Sequence, residues 1–205
     1  MDKKKNLGVV GTVIAVIVAV IGVSMVWAAY TASLNIKGSG TVKGAKWSVI
    51  FTDLGSANVG NDNGMTVTAK EVTTPQINGD TSIETYSVEL QTPGDYVTYN
   101  FKIKNNGDFP AKIDSGFAMP EPSCAPLESS QATETDATNV CKNITYTLTY
   151  VDGGAAVQSG NTFAVGESKE VQLKIYYNKN ATTSELPTDD VTVTNLNITI
   201  PFVQY

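Results

Sequence analysis

Three stretches of the chain alternate apolar and polar residues without interruption. Val97, Tyr99, Phe101 and Ile103 alternate with Thr98, Asn100, Lys102 and Lys104. Ile144, Tyr146, Leu148 and Tyr150 alternate with Thr145, Thr147 and Thr149, and Val171, Leu173, Ile175 and Tyr177 with Gln172, Lys174 and Tyr176. A period of two puts one set of side chains on each face of a strand, so each run predicts a strand with one face in a core and one in water. Weaker strand signals lie at Leu34–Ile36, Lys46–Asp53, Met65–Glu71 and Thr85–Gln91. Near the end the parity changes: Val191 and Val193 fall in one register, Leu196, Ile198, Ile200 and Phe202 in the other. One extra residue near Asn195 predicts a β-bulge, and Pro201, with no amide to donate, predicts a sheet edge.

Turn-forming clusters separate these runs: Asn61-Asp62-Asn63-Gly64, Asn78-Gly79-Asp80, Pro93-Gly94-Asp95, Asn105-Asn106-Gly107-Asp108 and Asp152-Gly153-Gly154. No helical period stands out after residue 30. About eight strands at this spacing predict an all-β fold, a single β-sandwich of jelly-roll type. There is also a faint internal echo. Gly94-Asp95 precedes Phe101, Ile103 and Asn106 by the spacing at which Gly166-Glu167 precedes Leu173, Ile175 and Asn178. A duplicated hairpin accounts for that, and so does the general habit of turns preceding strands.

The N-terminus is different. Lys3, Lys4 and Lys5 are followed by an uncharged, largely apolar run from Leu7 to Ala29. A basic start before an apolar helix is read by the export machinery. Residues 1–28 are therefore a signal peptide or a membrane anchor. Val26 and Ala28 offer small side chains before a cut between Ala28 and Ala29, while the run is also long enough to span a bilayer. Both readings export residues 29–205, the sandwich domain, and imply a secreted or cell-surface protein that meets a membrane only through its N-terminal segment.

Composition then removes several chemistries. The chain carries a net charge of −6; three lysines and one aspartate give the first 28 residues +2, which leaves −8 on the rest. Such a body repels nucleic acid, which is not expected as a partner. There is no histidine, hence neither the commonest general base nor the commonest zinc ligand. Carboxylates gather as Glu121/Glu128, Glu134/Asp136 and Asp189/Asp190 in polar stretches and read as solvated loops. Asn61-Asp62-Asn63-Gly64 hints at calcium ligands but lacks the later bidentate glutamate. No catalytic residue, cofactor or metal site is expected. The cysteines, Cys124 and Cys141, fall in a Pro-, Ser- and Thr-rich stretch, and in an exported chain they are expected to pair. Residues 118–142 then form a disulfide-stapled loop, whose closure is worth roughly 3 kcal/mol in the chain-entropy account. Asn143, Asn180 and Asn197 each begin an Asn-x-Thr sequence, which leaves their glycosylation open.

Val26-Trp27-Ala28-Ala29-Tyr30, and Pro93-Gly94-Asp95 leading through Phe101 to Asn105-Asn106-Gly107 and Ala111-Lys112-Ile113, resemble the TasA/camelysin family of exported proteins. The likeness covers the leader and about a third of the body. It implies a jelly-roll subunit of an extracellular biofilm-matrix fibre, in which the segment after the leader completes the sheet of the next subunit. Here that donor strand would be residues 29–38, with Tyr30, Leu34 and Ile36 as subunit-interaction residues. The partners implied are copies of the same chain and an accessory matrix protein. A metalloprotease activity attributed to camelysin does not carry over, because no His-Glu-x-x-His is present. Asn6-Leu7-Gly8 before the apolar run also resembles type IV pilins and archaellins, which implies a filament built on the N-terminal helix with cleavage after Gly8. An anchored adhesin or binding module is a further reading, and a surface hydrolase the most remote.

Overall fold

The computed structural model describes residues 35–36, 40–41 and 44–205, and it divides into two compact units, residues 1–45 and 46–205. In the first unit β1 (Asn35–Ile36) pairs antiparallel with β2 (Gly40–Thr41). The second unit holds β3 (Val49–Thr52), β4 (Asn58–Asn61), β5 (Lys70–Thr73), β6 (Gln76–Asn78), β7 (Ser82–Glu84) and β8 (Ser87–Glu89). It continues with β9 (Asp95–Asn105), β10 (Ala111–Ile113), β11 (Ser123–Pro126), α1 (Glu134–Asn143), β12 (Ile144–Tyr150), β13 (Thr162–Phe163) and β14 (Ser168–Tyr177). Last come β15 (Val191–Thr194), β16 (Ile198–Thr199) and β17 (Phe202–Gln204). Among the described residues every pairing is antiparallel, and the fold is all-β apart from α1 and one 3-10 turn.

The three cleanest alternations form the heart of the main sheet, ordered β12–β14–β9, with β3 and β4 sharing the far side of β9. Tyr96 faces Tyr176 and Lys104 faces Ser168, so Val97, Tyr99, Phe101 and Ile103 share a face with Val171, Leu173 and Ile175. That face is buried. Its residues join Val49, Phe51, Tyr146 and Leu148 in one core with Ile83, Ala111, Ile113, Phe163 and Ile198 from smaller sheets and with Ile200 from the link between β16 and β17. Those sheets are β13–β10–β17 and β16–β7–β6. Each fully buried side chain of this kind contributes about 1.5–3 kcal/mol of transfer free energy.

The ends of β9 are closed by polar residues that are fully buried, Asp95 and Asn105. Asn105 Nδ2 donates to the carbonyls of Phe109 and Phe163, and its Oδ1 accepts from the Gly107 amide. This folds the Asn105-Asn106-Gly107 turn against the start of β3, where Asn106 N–H reaches Ser48 O and Asp108 N–H reaches Lys46 O, both at 2.8 Å. A Cβ on Gly107 would meet Lys46 O and Ser48 N at 2.8 Å, so that close approach needs glycine.

The internal echo is a repeated turn. Asp95 N–H donates to Thr92 O, and Thr92 N–H donates back to the Asp95 carboxylate. Glu167 N–H donates to Ala164 O, and Ala164 N–H donates back to the Glu167 carboxylate. Gly94 and Gly166, at φ 98 and 76, stand at the same place in the two turns. Their amides bind the far end of the opposite strand: Gly94 to Tyr177 O and Gly166 to Asn105 O. A local two-fold thus relates β9 to β14.

Several expectations need correction. Helix α1 occupies a stretch that shows no helical period, because its buried apolar residues are only Ala137 and Val140. It is specified instead by its ends: Thr133 and Asp136 form a reciprocal capping box, with Lys142 in the last turn. Nor is there a single bulged strand after Val191. Asn195 sits at φ 63, a conformation asparagine tolerates, and the chain splits into β15, β16 and β17, each paired in a different sheet. Thr85, at φ 59, divides Thr85–Gln91 from β7, and pairing in the Met65–Glu71 stretch begins only at Lys70. β17 does lie at a sheet edge, as Pro201 suggests.

Candidate functional site

Cys124, in β11, is bonded to Cys141, in α1, with Cα atoms 5.7 Å apart. The bond staples a helix onto a two-stranded ribbon, because among the described residues β11 pairs only with β15. The carboxylates of this region are occupied with local structure. Asp136 accepts from the Thr133 amide and hydroxyl and from the Thr188 hydroxyl, and these bonds hold its carboxyl below the usual aspartate range. Asp189 accepts from the amides of Gln131 and Asp190, which lowers it likewise. Glu121, Glu128 and Glu134 are exposed. Among the described residues, no three acidic or thiol side chains converge to hold a metal ion.

The Asn61–Gly64 turn is a clasp. Asn61 Nδ2 donates to Asp95 Oδ1 at 2.9 Å, Asn63 Nδ2 donates to Pro93 O at 2.9 Å, and Asp62 pairs with Lys174 at 3.3 Å. Asp95 collects further donors from the Thr68 hydroxyl at 2.5 Å and the amides of Gln91 and Thr92. Burial pushes this carboxyl up, but the donors outweigh it and hold it below the ordinary aspartate range. The Pro93-Gly94-Asp95 motif therefore ties three segments to the start of β9.

A second polar knot crosses the core. The Tyr86 and Tyr146 hydroxyls lie 2.6 Å apart and both reach the Leu196 carbonyl. Burial raises both phenols well above their ordinary range. Beside it lies an open depression of about 370 Å³, lined by Thr73, Glu84, Thr85, Tyr86, Ser87 and Asn197. Of the three Asn-x-Thr asparagines, Asn180 and Asn197 are exposed, whereas Asn143 is buried and bonded to Asn139 O and Asn178. Burial makes Asn143 a poor acceptor of sugar.

For assembly the relevant chemistry is unpaired strand backbone. On the β3–β4 side of the main sheet, Phe51 N–H is taken by Asp80 O, and the ladder against β9 is broken between Thr52 and Asn58. Asp53, at φ 55, turns the chain out there and pairs with Lys102 at 2.9 Å. Such a break blunts an edge. The β12 side differs between its halves. Tyr150 N–H donates to Ala155 O and Leu148 O accepts from Val157 N–H, so residues 148–150 are covered. Ile144–Thr147 has no ladder partner on that side among the described residues. Of the donor-strand residues, Ile36 lies in β1, which pairs with β2. Tyr30, Leu34, the Ala28–Ala29 junction and the apolar N-terminal run lie outside the described residues. Among the described residues no helix is long and apolar enough to cross a membrane.

Comparison with family models, with curated proteins and with solved structures finds no match for this chain.

Proposed function

We propose that this chain is a secreted structural subunit of an extracellular fibre or biofilm matrix, a jelly-roll-like sandwich that polymerises by donating residues 29–38 to a neighbouring copy. The observation that carries the reading is the open half of β12. Between Ile144, whose amide is taken by Val140 O, and Leu148, the side of β12 away from β14 offers β-branched and aromatic residues and backbone with no ladder partner among the described residues. Leu34 and Ile36 alternate as a strand entering such an edge requires, and Gly38 and Gly40 follow directly. The disulfide agrees with an oxidising compartment.

The test is electron microscopy of three forms of the mature protein. Removing residues 29–36 leaves a folded monomer without fibres, Leu34→Asp weakens fibres by bringing an unpaired charge to an apolar site, and Thr147→Lys blunts the accepting edge. Normal fibres from the truncated form sink the proposal. N-terminal sequencing separates it from its rivals: a start at Ala29 or Tyr30 fits strand donation, a start at Val9 fits a helix-cored filament, and an intact leader fits an anchored module.

A further inference from the structure

The region 121–143 is fastened to the body differently from every other part of the second unit. None of its apolar residues belongs to the main core: Ala137 and Val140 are buried, but outside that cluster. Among the described residues its strand β11 has β15 as sole ladder partner. The other ties to residues 188–195 are individual hydrogen bonds: Leu127 N–H and Ser130 Oγ to Asp190 O, Gln131 N–H to Asp189, Thr188 Oγ1 to Asp136, Thr194 Oγ1 to Ser123 O, and Asn195 Nδ2 to Glu121 O; at the C-terminal end of the region, Asn178 donates its amide and its Nδ2 to Asn143. Across this lightly held assembly runs one covalent bond, Cys124–Cys141. Both cysteines are half-buried and border a depression of about 440 Å³, which Pro122, Thr138 and Lys142 also line. The two cysteines thus border an opening to solvent and lie outside the main core.

We propose that residues 121–143 are a redox-released strap whose disulfide, once reduced, lets β11 and α1 leave the body while the sandwich stays folded. The reductant is a dithiol. Its thiolate attacks one sulfur to give a mixed disulfide, and its second thiol then displaces the remaining cysteine. Cys124 and Cys141 end as two thiols, two electrons and two protons having passed to them, and the reductant ends as a cyclic disulfide. Without the cross-link, a ten-residue helix with two buried apolar side chains has little to hold it, since isolated helices of that length are marginal in water. Release has a consequence for the surface. β15, Val191-Thr192-Val193-Thr194, loses its ladder partner β11 and becomes an exposed β-branched strand edge. The inference does not depend on how the protein assembles.

Native-state hydrogen exchange of the purified full-length chain, with and without dithiothreitol, tests it. Removing the loop constraint is worth roughly a hundredfold in the opening equilibrium. Amides of 123–126, 134–142 and 191–194 are therefore expected to exchange about a hundredfold faster in the reductant, with 97–103 and 171–175 unchanged. The double variant Cys124→Ser/Cys141→Ser is expected to behave like the reduced protein without reductant. Loss of protection throughout the body, or no change in the strap after both thiols are titrated, overturns the proposal. So does a disulfide that reacts only once denaturant has unfolded the body. If the double variant fails to fold, the reductant series on the natural chain still decides the matter.

Discussion

The β9–β14 pair and the cystine-bearing strap are both assembled from antiparallel strands with capped ends, yet different forces hold them. β9 and β14 pair over nine residues and bury seven large apolar side chains, Val97, Tyr99, Phe101 and Ile103 with Val171, Leu173 and Ile175. The strap buries Ala137 and Val140 and otherwise relies on the short β11–β15 ladder, a capping box, a few individual hydrogen bonds and one disulfide. Burial is non-directional and sums over many residues, so it makes a region cooperative with the whole fold. Caps and single bonds act locally and leave a region able to open alone. The comparison separates global from local stability, and substitutions on either side should sharpen it.

The largest effect is expected from Phe101→Ala. Phe101 is fully buried, with its ring 4.8 Å from that of Phe51, and truncation leaves a cavity in the central strand. A loss of about 3–5 kcal/mol is expected from denaturant unfolding read by a probe in the β9–β14 pair. An unmoved midpoint at that probe would contradict the place of Phe101 at the centre of the core.

Asp95→Asn should cost less, about 2 kcal/mol, because charge-assisted bonds become neutral ones and an amide cannot accept from every donor that meets the carboxylate. It should also change the response to acid. The folded carboxyl is held below the unfolded aspartate value of about 3.9. The stability it contributes is therefore present above that pH and is lost as pH falls through the lower folded value. A series of urea midpoints from neutral to acid pH should show a flatter acid limb in the variant. An unchanged limb would mean that Asp95 does not carry this dependence.

The smallest global effect belongs to Thr133→Ala. Loss of the cap weakens α1 by about 1 kcal/mol. Amides of 134–142 should exchange several-fold faster while the denaturant midpoint of the body barely moves. A fall in that midpoint by the full amount would show that the strap and the sandwich unfold together.

Alternation was enough to predict β9, β12 and β14, since a strand with one wet face and one buried face must alternate whatever it packs against. It also exposed the 94/166 echo, whose meaning lies in two turns that hydrogen-bond across one strand pair. The capping box Thr133-x-x-Asp136 stood in the sequence too, but α1 has too few apolar residues to produce a period, so end signals had to do what periodicity could not. Other features were decided only in three dimensions. Val191 to Gln204 reads as one strand with a slip, and only the positions of β11, β7 and β10 divide it among three sheets. Asp95 and Asp62 look alike as turn carboxylates; one is fully buried among donors and the other pairs with Lys174 at the surface. The open half-edge of β12 depends on where residues 155–157 come to lie. Local pattern is set by which face of an element must be dry, so composition and spacing determined the strands and their faces. Partners, edges and the environment of each polar group are set by long-range packing, and those only the tertiary structure decided.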